Sequence, residues 1–95
     1  MVKVVAPNHI KAEHIASVEP LFREIIEATQ KEHGCIEYRL FVTDDEPGLY
    51  VFIEEWESME DLQNHFATEH FKRIVPQIKS FSSKGGAAWV LKEFK

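Results

Sequence analysis

"FIEEWESMEDLQNHFATEHFKR", residues 52–73, is the stretch on which the fold turns. It begins as the end of a strand, "LYVFIEEW" (49–56), that is apolar on both sides. Leu49, Val51 and Ile53 point one way; Tyr50, Phe52 and Trp56 point the other. A charged turn follows. Ser58 and Asp61 then carry the S-x-x-[DE] spacing of a helix capping box, with a shorter acid than the preferred Glu. Leu62 and Phe66 are expected to face inward, followed by Phe71, Ile74, Val75 and Ile78. Thr68 can cap a second segment, so the spacing predicts a break near Ala67–Thr68, and Pro76 should bend the end.

Working outward, three more segments alternate at period two with β-branched or aromatic residues. They are "VKVVA" (2–6), "CIEYRLFV" (35–42) and "AAWVLKEF" (87–94). In the second, Ile36, Tyr38, Leu40 and Val42 share one face and Glu37 and Arg39 the other. The segment 12–34 places Ile15, Val18, Phe22, Ile25, Ile26 and Thr29 at helical spacing, with Gly34 as its stop. Pro20 removes an intrahelical donor, so a kink or a later start is expected there. "TDDEPG" is a turn between the middle strands, and "SFSSKGG" (80–86) reads as a mobile loop before the last strand.

The order is β-α-β-β-α-β, the ferredoxin-like α+β arrangement: an antiparallel sheet with two helices on one face. Two helices cover only one face, yet the 49–56 strand is apolar on both. No further chain remains to cover the second face. A second copy packed sheet to sheet, a homodimer, is the simplest cover.

Bulk properties narrow the function. The chain has 95 residues, read as one domain over 1–95. Acidic residues outnumber basic ones, 16 to 11, for a formal charge of −5, with no basic run. That argues against a nucleic-acid partner. No apolar run approaches the roughly 20 residues of a membrane helix, so no membrane partner is expected. One cysteine, Cys35, excludes an internal disulfide and fits a cytoplasmic protein. It has no adjacent base and reads as a small hydrophobe.

His65 and His70 do not read as a metal pair. Five residues on a helix is about 140° of rotation, so their rings leave different faces. A break at Thr68 would let them reconverge, but no third ligand is evident, and no metal is expected. Glu54 lies on the Trp56 side of its strand. If that side is interior, Glu54 needs a partner such as Arg39, Asn8 or a histidine, because an unpaired buried carboxylate is costly.

The stretch Glu54-Glu55-Trp56-Glu57-Ser58, then Leu62, His65 and Thr68-Glu69-His70-Phe71, resembles the antibiotic biosynthesis monooxygenase family of dimeric α+β barrels. "EHGCIEYRLF" resembles a second family signature, Gly34-Cys35 with Tyr38 three positions on. The two blocks stand in order, and the resemblance spans nearly the whole chain. It implies small cofactor-free oxygenases of quinols or aromatic polyketides, haem-degrading enzymes, or a relative that processes a phosphorylated autoinducer. The haem-degrading members carry an Asn, a Trp and a His. Asn8 matches the first, but the Trp position falls on His65 and the His position near Val75. The resemblance therefore points to the quinol-oxygenase-like and autoinducer-processing members, which carry a His at the position of His65, and most closely to the quinol-oxygenase-like ones, with no cofactor.

On that resemblance His65 is the candidate general base, tuned by Glu54 or Glu55, and Asn8 the group that orients a substrate oxygen or O2. Asn8 equally suits a turn after Pro7. Trp56, Glu54, Phe22, Ile26, Phe52, Phe66, His70 and Phe71 are expected around a small-molecule substrate. The expected reaction is cofactor-independent oxygenation of a small aromatic or quinol. The alternatives are an isomerase acting on a small carbonyl compound and a non-catalytic ligand-binding dimer.

Overall fold

A computed structural model describes residues 1–95. Strand β1 spans Val2–Ile10, helix α1 Ile15–Thr29, β2 Cys35–Val42 and β3 Leu49–Trp56. Helices α2 (Met59–Phe66) and α3 (Glu69–Ser80) follow, then short strands β4 (Ser82–Lys84) and β5 (Trp89–Leu91). The sheet is antiparallel throughout, in the order β2-β3-β1-β4, with β5 also on β1. This is the ferredoxin-like α+β fold that the element order predicts.

The register explains how the two sides differ. Paired residues share a face of the sheet. Val4 lies opposite Glu54, Ala6 opposite Phe52 and Asn8 opposite Tyr50. Tyr38 and Leu40 meet Glu54 and Phe52 from the other side. These residues lie under the helices, where Phe52 and Trp56 join Val18, Phe22, Ile25, Leu62, Ile74 and Ile78 in one core. The opposite set has no helix over it: Val5, Val51, Ile53 and Phe41, with Trp89 and Leu91 brought alongside by β5. Trp89 is 62% exposed and Phe41 41% exposed.

Several expectations are corrected. β1 continues through Pro7 and Asn8 to Ile10, so Asn8 is a strand residue rather than a turn residue. Pro7 is tolerated because β5 pairs with residues 3–5 and β4 with 9–10, which leaves no ladder partner at Pro7 on that side. The expected last strand, 87–94, is shortened to β5, and part of the expected mobile loop is β4. In β2 an irregularity between Cys35 and Glu37 puts Cys35 opposite Trp56 and leaves Ile36 without a register partner. Ile36 is consequently exposed rather than on the Tyr38 face.

Helix α1 carries Pro20 within it, having begun at Ile15, so the proline does not delay the start. The helix ends at Thr29, well before Gly34. Residues 30–34 form a separate turn, in which the Glu32 amide donates to the Thr29 carbonyl and the Cys35 amide to the Glu32 carbonyl. Gly34 adopts φ 81°, and a Cβ there would stand 2.2 Å from the Asp61 carboxyl. That close approach brings the turn against the start of α2.

The break between α2 and α3 forms where the sequence places it. Ser58 Oγ accepts from the Asp61 amide at 3.1 Å and donates to the Asp61 carboxylate at 2.9 Å. Thr68 Oγ1 accepts from the Phe71 amide at 3.3 Å, capping α3, and donates to the His65 carbonyl at 2.7 Å. One side chain thus ends one helix and starts the next.

Candidate active site

The site is built where α2, the break and the 30–34 turn meet the covered face of the sheet. Leu62 points inward as expected, but the next inward residue is His65, only 1% exposed, and not Phe66, which is 42% exposed. His65 is enclosed by aromatic rings, with Trp56 at 4.8 Å, Phe71 at 5.0 Å and Tyr38 at 5.6 Å between centroids. Its Nδ1 donates to the Glu32 carboxylate, at 2.9 Å to Oε2 and 3.1 Å to Oε1. A carboxylate only accepts, so Nδ1 carries the proton and Nε2 of the neutral ring is left with a free lone pair. No protein group hydrogen-bonds Nε2, and it is not sealed within the core.

His65 borders a cavity of about 140 Å³ between the helices and the sheet. Phe52, Glu54, Phe66, Phe71 and Asn8 also line it, as does Tyr38. Burial pushes the imidazolium of His65 below its ordinary range, and the Glu32 bond opposes this only in part. At neutral pH the ring is therefore the unprotonated, proton-accepting form.

His70 does not line the cavity. It converges on the same Glu32 carboxylate through Nε2, and its ring centroid is 6.3 Å from that of His65. The angular separation expected of a continuous helix is undone by the break at Thr68, and the third member is Glu32. One carboxylate oxygen of Glu32 and one ring nitrogen each of His65 and His70 lie within 4.8 Å of one another. Hydrogen bonding of both imidazoles to one carboxylate accounts for that spacing.

Glu54 is also corrected. Its partner is neither Arg39 nor a histidine. Arg39 pairs with Ile53 in the sheet and points to the bare face, where it reaches Glu37 at 3.8 Å. The Trp56 indole instead donates to Glu54 Oε1 at 3.0 Å. With no cation beside it, burial pushes the Glu54 carboxyl up to about 7. Nor does Glu54 tune His65 by direct contact; Glu32 holds the ring.

Among the other residues expected around a substrate, Phe22, Ile26 and Trp56 do not line the cavity. Phe22 packs edge-on to Phe52 at 5.6 Å, inside the core. Trp56 is wholly buried and contacts both Glu54 and His65. Asn8 lines the cavity and donates from Nδ2 to the Ala6 carbonyl at 3.1 Å. Cys35 is half-buried, and burial lifts its thiol to about 11, so it stays protonated and is no nucleophile. A second, polar cleft of about 280 Å³ adjoins the cavity and shares Pro7, Asn8, Lys79 and Gly86 with it.

The profile of antibiotic biosynthesis monooxygenases matches residues 1–77. The chain belongs to the antibiotic biosynthesis monooxygenase family. A crystal structure described as an antibiotic biosynthesis monooxygenase is 43% identical, covers the whole of both chains and superposes with a TM-score of 0.95. A conserved protein from Methanosarcina mazei Go1 is 30% identical over 98% of this chain and 92% of its own, with a TM-score of 0.94. A protein from Mycobacterium tuberculosis, 24% identical, shares the fold over 99% of this chain and 95% of its own at a TM-score of 0.91. No functionally curated protein matches the chain. No helix is long and apolar enough to cross a membrane.

Glu32 is the candidate-site residue that sequence reasoning passed over. It sits in "KEHG", beside the Gly34-Cys35 signature, and looks there like one more charge at a helix end. An acid two residues before a turn glycine was the available signal, but nothing local says which residues it will meet.

Proposed function

We propose that this family member is a cofactor-independent monooxygenase of a small aromatic or quinol, with His65 as the base that deprotonates the substrate hydroxyl. The observation that carries the reading is the Glu32–His65 pair on the wall of a mostly apolar cavity. Glu32 fixes the tautomer and orients the ring, and Nε2 accepts the proton. The carboxylate then stabilises the imidazolium that forms. The substrate anion is electron-rich enough to reduce O2, so the protein supplies desolvation, orientation and anion stabilisation. Asn8 borders both the cavity and the polar cleft; its Nδ2 hydrogens reach the Ala6 and Tyr50 carbonyls, so in this reading its Oδ1 accepts from a substrate hydroxyl.

The functional unit in this reading is a homodimer formed across the bare sheet face. Val51, Ile53, Phe41, Trp89 and Leu91 there match the apolar, aromatic character of an interface centre.

An oxygen-electrode screen over quinols and hydroxylated aromatics tests the activity. His65→Ala should lower turnover of a confirmed substrate about 100-fold or more, the range of a lost general base. Unchanged turnover in that variant would remove His65 from the mechanism. Product formation under argon would replace oxygenation by isomerisation. A ligand that raises the melting temperature with no product would leave only binding.

A further inference from the structure

A second titratable group faces the same cavity, and proton abstraction by His65 leaves it unused. Glu54 is 6% exposed, sits at the centre of the sheet between Val4 and Tyr38, and borders the cavity. Its only protein hydrogen bond is the one that Oε1 accepts from Trp56. Oε2 has no protein partner and is not sealed in the core, so it opens to the cavity. With an N–H fixed on Oε1, the acid's proton belongs on Oε2, aimed at whatever occupies the cavity.

We propose that Glu54 is the hydrogen-bond donor opposite His65, and that the pair selects substrates in which a hydroxyl is conjugated to a second oxygen. His65 Nε2 takes the hydroxyl proton. The charge left behind delocalises onto the second oxygen, which receives the bond from Oε2–H. Only the substrate O–H bond breaks in this step, and no electron leaves the substrate.

The surroundings agree. The groups that face Glu54 are Tyr38 and Cys35 on β2, His65 on α2, Glu32 in the turn after α1, and Lys79 on α3 across the cavity. Tyr38 and Cys35 are held neutral, chiefly by burial. Glu32 adds a like charge that disfavours ionisation. Burial drives the two functional groups in opposite senses, the carboxyl up and the imidazolium down. The carboxylic acid and the neutral imidazole thus coexist close to neutrality, as an acid–base pair requires.

The inference rests on His65 acting as the base, but its test needs no base. Acetophenone and ethylbenzene have nearly the same shape, and neither carries a hydroxyl. Their affinities are measured by NMR titration near pH 6 and pH 8.5, for the wild type and Glu54→Gln. The wild type should prefer acetophenone about 10-fold near pH 6 and lose that preference near pH 8.5, where the carboxylate no longer donates. Glu54→Gln should keep its preference at both pH values, because its amide remains a donor. A preference independent of pH in the wild type, an equal pH change in Glu54→Gln, or no binding of acetophenone would overturn the proposal. An inactive oxygen-electrode screen beside a pH-dependent preference would instead sink the oxygenase reading alone.

Discussion

Glu54 and Glu55 are neighbours on one strand, yet they live in different solvents. Glu54 lies beneath the helices, without a cation, and its carboxyl is pushed up to about 7. Glu55 lies on the other face and meets Lys3 at 3.4 Å, an ordinary surface pair. The same contrast runs along all of β3. On the covered side Phe52, Glu54 and Trp56 are buried; on the bare side Val51 and Ile53 remain partly open. Where helices exclude water, polar groups acquire unusual protonation and can do chemistry. Where no helix lies, the same strand offers apolar area for association.

The largest effect should come from the bare face. Ile53→Asp puts a charge at the centre of the proposed interface, and the sedimentation mass at micromolar concentration should fall from dimer to monomer. A wild type that already sediments as a monomer would break the comparison. On the covered face the currency is folding. Leu62→Ala, at a fully buried site, should cost about 3 kcal/mol in urea unfolding, in the range of large-to-small core substitutions.

Glu54 gives a signed pH dependence. Its folded value is raised from 4.5 to about 7, so the folded state holds a proton that the unfolded chain releases first. Stability is then fully present below pH 4.5, declines as pH rises, and is lost above about 7. The full swing is on the order of 3 kcal/mol. Glu54→Gln should flatten this part of the urea-unfolding profile, and an unaltered slope would contradict the buried acid. The smallest effect is at Thr29, wholly buried with an Oγ1 that no group satisfies. Thr29→Val should raise stability by about 1 kcal/mol, measured in the same way.

The parts legible in the sequence are those whose causes are local. Period-two alternation marked β2 and β3, and Ser58 and Thr68 marked the start of α2 and the break before α3. The two-sided apolar pattern of 49–56 anticipated the bare face. The parts that were not legible depend on partners distant in sequence. Asn8 extends β1 because Tyr50 pairs with it. Gly34 marks the close approach of the 30–34 turn to Asp61 on α2, and not the end of α1, which lies at Thr29. His65 and Phe66 both line the cavity as expected, but the histidine is the buried one, because the carboxylate that satisfies its imidazole comes from residue 32. Hydrophobic spacing alone favoured the phenylalanine.

The pairing of β1 with two separate short strands, β4 and β5, has a further consequence, for solubility. A continuous strand along β1 would present a long row of unpaired amides and carbonyls to other chains. β4 and β5, three residues each, end such a row before it can template an added strand. The opposite border has no such protection. β2 runs for eight residues and ends in Phe41 and Val42, both exposed. Stray strand addition under heat or crowding should therefore begin along β2, and Val42→Lys would guard it at little cost to the fold.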